Sequence, residues 1–130
     1  MMSFMNRGDL EKLLGPFPGR CALEPVVVDS ADCSSYVRET VEYAVEANER
    51  VRSYLLVPKN AASGTPAIFA HHQHNREFHL GKSEVVGLAG DPDQAYAAEL
   101  AERGYVVIAP DALGFEERNW SNPTGDAEYF

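Results

Sequence analysis

The segment from Ile68 to Lys82, IFAHHQHNREFHLGK, holds all 4 histidines of the chain directly behind a short apolar run. Imidazoles grouped this closely can ligate a metal, move protons, or shape a loop whose backbone does the chemistry. Zinc, nickel and copper all accept imidazole nitrogen, yet His71, His72, His74 and His79 form no HExxH pair on a helix. They have no carboxylate between His72 and His74 and no cysteine nearby. In an extended segment His72 and His74 share a face while His71 points the other way, so at most two rings converge without distant help. No metal and no cofactor is therefore expected. Position says more than side-chain identity, because ligands of α/β proteins bind at the carboxyl ends of strands and the loop starts at such an end. Two readings of the residues stay open: a loop that offers a backbone N–H to a developing oxyanion, and a polar surface loop whose histidines bond locally.

The elements that position this loop can be read along the chain. Residues 1–35 form an irregular extension with one short helix, Asp9 to Leu14, capped by Asp9 and stopped by Gly15-Pro16, and an extended piece at Val26 to Val28. From Val37 to Ala47, the residues Val37, Glu39, Val41, Tyr43 and Val45 alternate with Arg38, Thr40, Glu42, Ala44 and Glu46, the pattern of a half-buried strand. Val51 to Val57 follows a turn at Asn48-Glu49 and completes an antiparallel hairpin. Pro66 to Ala70 and Tyr105 to Ala109 lack alternating polar residues, as strands covered on both faces do. Between them lies a helix with Asp91 at the N-cap, Pro92 at N1, Gln94 closing a capping box and Gly104 at the stop. Its apolar stripe is Tyr96, Ala97, Leu100 and Ala101. Strand, crossover helix and strand make a βαβ unit, which predicts an α/β protein with a parallel pair behind the hairpin. That order leaves the strand at 105–109 open, an edge that another segment or a second copy must cover.

With 130 residues the chain suits one domain or a piece of one. Its 11 Lys and Arg against 20 Asp and Glu give a net charge of -9, and no basic stripe offsets it, so nucleic acid is excluded as a partner. The start, MMSFMNRGDLEKLL, lacks a secretory pattern, and no stretch approaches the ~20 apolar residues of a membrane span. A cytoplasmic protein without a membrane partner is expected. Cys21 and Cys33, without CxxC spacing, are expected to be reduced and structural.

The segments HHQHNREFHLGKSEVVG and APDALGFEER, in this order around the capped helix, resemble the amino-terminal part of the dienelactone hydrolase-like branch of the α/β-hydrolase superfamily. The resemblance runs from about Asp9 onward and is strongest from Ala67 to Arg118. It implies a partial α/β-hydrolase fold in which residues 36–130 are the front of the domain and the later elements are absent. In that family the loop after the third strand carries a His-Gly type step whose following amide binds the oxyanion of an ester or lactone intermediate. The matching step is His72-Gln73, so the resemblance implies the Gln73 or His74 backbone N–H as oxyanion donor, with His72 and Asn75 supporting the loop. It makes Asp111, Gly114, Glu116 and Arg118 architectural, Asp111 and Arg118 by pairing or capping, and places Phe115, Trp120 and Tyr129 as candidates to line a substrate cleft. Such hydrolases use a nucleophile on a G-x-S/C-x-G elbow, followed by an acid and a histidine. No such elbow occurs in these 130 residues. The expectation is a portion of a serine ester or lactone hydrolase that is inactive alone and needs a missing C-terminal segment. The alternatives are a noncatalytic self-associating binding protein, with an apolar interface around Val106 to Ile108, and a module binding metal through His72, His74 and His79.

Overall fold

The computed structural model describes residues 6–119. In chain order the elements are α1 (Arg7–Leu14), β1 (Val26–Asp32), β2 (Tyr36–Glu46), β3 (Glu49–Pro58), β4 (Ala67–Phe69), α2 (Lys82–Val85), α3 (Tyr96–Glu102) and β5 (Val106–Pro110). The strands form one mixed sheet in the order β1-β2-β3-β5-β4. β1, β2 and β3 are antiparallel neighbours, β3 pairs antiparallel with β5, and β4 pairs parallel with β5. No helix among the described residues is long and apolar enough to cross a membrane.

The hairpin forms where the alternating run predicts it, with Val41 opposite Ser53 and Tyr43 opposite Val51. Its burial is less one-sided than strict alternation implies. Val41 is buried, but so are Tyr36 and Ala44 from the opposite face, while Val45 is exposed. Two features account for this. The register shifts between Ala44 and Glu46, which breaks the period at Val45. The sheet also carries apolar contacts on both faces: Tyr36, Leu56, Val107 and Ala109 pack with Val85, Val86, Ala97 and Ala101 of the helical layer, whereas Val41, Val51 and Ser53 are buried on the other side. Alanine at 97 and 101 lets the α3 backbone sit close to the strands, because a methyl group keeps the layers near together.

β5 is not the open edge. It lies between β3 and β4, because β3 turns inward to pair Leu55 with Ile108 and Leu56 with Val107. Strand addition by a second copy along Val106 to Ile108 has no free backbone to use, since those groups are already paired on both sides. The edge strand on this side of the sheet is β4, whose Phe69 is 61% exposed.

Two helix starts also differ from the sequence reading. α1 begins two residues earlier than expected, at Arg7. Asn6 is the cap and Asp9 occupies N3, each side chain accepting the other's backbone N–H at 3.1 Å. In the crossover, Asp91 caps a 3-10 turn over Pro92–Gln94 by accepting the Asp93 N–H at 2.9 Å, and the α-helix starts only at Tyr96. The expected capping box with Gln94 does not form, because the Asp91 N–H that Gln94 would need donates to Glu84 Oε1 at 3.2 Å.

Candidate active site

The histidine segment leaves the carboxyl end of β4 beside the carboxyl end of β5, which the parallel pairing of Phe69 with Ile108 sets level. His72 is the anchor. Its ring is buried and packs tilted against Phe115, with centroids 4.7 Å apart. Nδ1 lies 2.8 Å from the Gln73 carbonyl oxygen, and Nε2 accepts the Ala112 N–H at 2.9 Å. An amide donor on Nε2 and a carbonyl acceptor at Nδ1 require the neutral ring with its proton on Nδ1. Both nitrogens are thereby engaged, which removes His72 from metal ligation and from proton transfer. Replacing His72 with phenylalanine keeps the ring contact but strands the Ala112 N–H. A loss of about 1–3 kcal/mol in urea unfolding is expected, and an unchanged midpoint would show that the brace carries no weight.

The other histidines do not join it. His71 is exposed and bonds through Nδ1 to the His72 carbonyl oxygen at 2.8 Å. His74 is exposed, accepts the Arg76 N–H on Nδ1 at 3.3 Å, and lies edge-on to Phe78 and Phe115. His79 is exposed. Among the described residues no group of three or more His, Cys, Asp or Glu side chains is placed to hold a metal ion. Asn75 supports the following turn by donating from Nδ2 to Glu77 Oε2 at 2.8 Å. Asn75 and Arg76 both take left-handed φ values, of 36° and 56°.

Gln73 keeps a negative φ, so the lack of glycine at this step brings no left-handed strain. Among the described residues neither the Gln73 nor the His74 backbone N–H donates to a protein acceptor. The segment is held from three directions: the Tyr96 hydroxyl donates to the His71 carbonyl oxygen, Ala112 donates to the His72 ring, and Gln73 Nε2 donates to Glu84 Oε2 at 2.9 Å. Burial pushes the Tyr96 phenol up, and the Glu84 charge adds to the rise, which keeps it a donor. Beside the loop an open cleft of about 280 Å³ is lined by Tyr43, Phe69, His71, Pro110, Ala112 and Arg118.

Beneath this loop lies an ion cluster. Lys82 is 1% exposed, and its ammonium donates to Asp111 Oδ2 at 2.6 Å and Glu116 Oε1 at 3.0 Å, with Glu117 Oε2 at 3.2 Å. The Lys82 backbone N–H takes the second Asp111 oxygen at 2.7 Å, and Ser83 binds Glu116 through both N–H and hydroxyl. Burial works to lower the Lys82 pKa, but the hydrogen bonds and charges of Asp111 and Glu116 outweigh it and hold the ammonium above its usual range. Gly81 is required at the entry, since a Cβ there would sit 2.3 Å from Asp111 Oδ1.

Asp111, Glu116 and Arg118 are thus architectural in the geometry, by pairing and capping of neighbouring elements. The Asp111 carboxylate belongs to Lys82, and Arg118 reaches only the Asp111 carbonyl oxygen, at 3.2 Å, while its other terminal nitrogen binds Glu49. Gly114 has a left-handed φ of 88°, and Phe115 is buried against His72 and His74. Trp120 and Tyr129 lie outside the described residues. Sequence reasoning missed Lys82 and Glu84, whose positions on a 4-residue helix leave no periodic signal.

No family model matches the chain. It is 28% identical over 114 residues to "Putative hydrolase YtaP" of Bacillus subtilis (strain 168), a span of 87% of this chain and 38% of that protein. Its fold matches the crystal structure of "a putative acetyl xylan esterase" from Bacteroides fragilis NCTC 9343 with a TM-score of 0.72 at 20% identity, over 95% of this chain and 33% of that one. The chain therefore spans little more than a third of the curated relative and a third of the solved structure. What it shares with the solved structure is the mixed sheet with few helices.

Proposed function

We propose that these residues are the amino-terminal portion of a serine ester or lactone hydrolase with the α/β-hydrolase fold, of the dienelactone hydrolase-like branch. In this reading they supply the oxyanion side of the site. The observation that carries it is the segment His71 to His74, held at the carboxyl end of β4 by Tyr96, Ala112 and Glu84 with the Gln73 and His74 amides unpaired among the described residues. Donors fixed before the reaction, with no protein acceptor to give up, are what a tetrahedral intermediate of acyl transfer requires. The likeness to a hydrolase in sequence and to an esterase in fold supports the same reading.

The chemistry is divided accordingly. A serine on an elbow outside these residues attacks the ester carbonyl, a histidine takes its proton, and the carbonyl oxygen becomes an oxyanion. That oxygen lies against the Gln73 N–H, while His72, neutral and bonded at both nitrogens, keeps the loop in place without exchanging a proton. Collapse of the intermediate expels the alcohol, and water then releases the acid.

The test uses the protein encoded by the whole reading frame, 4-nitrophenyl acetate and dihydrocoumarin as ester and lactone, and an alkylphosphonate that labels active serines. Turnover is expected, blocked by the phosphonate, with the label on a serine outside residues 1–130. The 130 residues alone are expected to turn over neither substrate. A label on a serine within them, or an inactive whole protein, overturns the reading.

A further inference from the structure

Glu84 is a buried carboxylate without a countercharge. It is 2% exposed and forms no ion pair among the described residues. Its oxygens are held instead by two neutral donors, Gln73 Nε2 at 2.9 Å and the Asp91 N–H at 3.2 Å. Removing a carboxylate from water without a cation is costly, and an apolar side chain of similar volume is often the more stable choice at such a site. The surrounding chain is nonetheless built around this group. Gly90 takes φ 71°, and a Cβ there would lie 2.5 Å from Glu84 Oε1, so the turn before Asp91 admits the carboxylate only with glycine. The Asp91 N–H is drawn to Glu84 and away from the capping box. Among the described residues, the one bond Glu84 makes outside its own neighbourhood of chain is to the Gln73 side chain, 11 residues earlier in sequence.

We propose that Glu84 is a positioning residue for the oxyanion amide: by holding the Gln73 side chain it fixes the orientation of the peptide N–H at that residue. The inference rests on the hydrolase reading. A negative charge on this side of a developing oxyanion opposes it by Coulomb repulsion, so the carboxylate serves through geometry. Gln73 Nε2 and the Asp91 amide disperse its charge while the Gln73 backbone presents the donor. A donor displaced by about 1 Å loses on the order of 10–100-fold in rate, with little effect on the binding of the neutral ester.

The experiment compares the full-length protein with Glu84→Leu, Gln73→Glu and the reciprocal swap Gln73→Glu/Glu84→Gln, using 4-nitrophenyl acetate. In the swap, the introduced amide donates from its Nε2 to the introduced carboxylate, and its Oε1 still accepts the Asp91 N–H, so both bonds are rebuilt with donor and acceptor exchanged. Glu84→Leu is expected to lower kcat at least tenfold with KM within twofold and no loss of thermal stability. Gln73→Glu, which opposes two carboxylates, is expected to lose at least as much, and the swap to recover kcat to within about threefold of the parent. In parallel, backbone ¹⁵N order parameters at Gln73 and His74 are expected near 0.85 in the parent and below about 0.6 in Glu84→Leu. If kcat stays within twofold in Glu84→Leu, or the swap fails to recover it, positioning by Glu84 is wrong while the hydrolase reading stands. If the parent turns over no ester, the hydrolase reading falls first. The positioning claim, which needs an oxyanion to serve, then falls with it, and a drop confined to Gln73 and His74 would show only that Glu84 orders the loop.

Discussion

Replacing Lys82 with methionine is expected to lower the unfolding free energy by about 3–5 kcal/mol in a urea titration. The Lys82 and Asp111 side chains are 1% and 0% exposed, so the substitution leaves a carboxylate in the protein interior without its cation. The pair's worth is not the issue, because a buried ion pair can be no better than an apolar replacement of both partners; the cost comes from stranding one charge. The double variant Lys82→Met/Asp111→Leu is accordingly expected to be more stable than the single one by about 1 kcal/mol or more, although the Lys82 N–H then loses its acceptor. A single variant within 1 kcal/mol of the parent would refute the cluster as a structural centre.

The same cluster sets a pH dependence. Lys82 is raised above its ordinary value, so its contribution is complete below the pKa of an unfolded lysine and is lost as pH climbs through the higher folded value. Glu116 behaves oppositely. Burial works to raise its carboxyl, yet the Ser83 hydrogen bonds and the Lys82 charge hold it below the usual range. Its contribution is present above the unfolded carboxylate pKa and lost as pH falls through the lower folded value. Burial pushes the Asp111 carboxyl up, with the Lys82 bonds opposing. The ionised form is nevertheless the one that accepts the ammonium at 2.6 Å on one oxygen and the Lys82 N–H at 2.7 Å on the other.

Much of the sheet could be read from the sequence because strand signals are local. The period-2 run at Val37 to Ala47 and the nonalternating runs at Pro66 and Tyr105 each mark a strand, and the antiparallel hairpin and parallel pair follow from them, but the run at Pro66 misreports burial, since the edge strand β4 leaves Ala67 and Phe69 exposed. The lateral order does not. Nothing local says that β3 rather than solvent lies beside β5, since that contact joins residues some 50 positions apart, Leu55 with Ile108 for example. The site divides in the same way. The position of the histidine loop was legible as the end of a strand, whereas its supports were not, because each is a long-range polar bond from an unremarkable residue. Ala112 reaches His72 across 40 positions, Tyr96 reaches His71 across 25, and Lys82 reaches Asp111 across 29. A buried lysine or glutamate carries no sequence mark of its burial, and composition argues the other way, since both types are usually exposed.

In the proposed hydrolase, removing a single backbone N–H is expected to have the largest effect on catalysis. Exchanging the Gln73 residue for its α-hydroxy analogue turns the His72–Gln73 peptide into an ester, which deletes the donor and keeps the side chain, its bond to Glu84 and the neutral His72 brace. Loss of one oxyanion donor costs on the order of 10²–10³ in kcat. KM is expected to change by less than twofold, because the donor acts on charge that develops only in the transition state. The same exchange at His74 deletes the next amide that is unpaired among the described residues. That site is less constrained: the His74 ring is exposed and accepts only the Arg76 N–H, at 3.3 Å, whereas the Gln73 side chain is fixed by buried Glu84 at 2.9 Å. Preorganisation therefore favours Gln73, and the His74 ester is expected to keep kcat within about fivefold of the parent, well short of an oxyanion donor's share. A large loss at His74 with little at Gln73 would move the oxyanion one residue along the loop. Small losses at both would take the loop out of the chemistry, leaving it as a well-braced wall of the cleft.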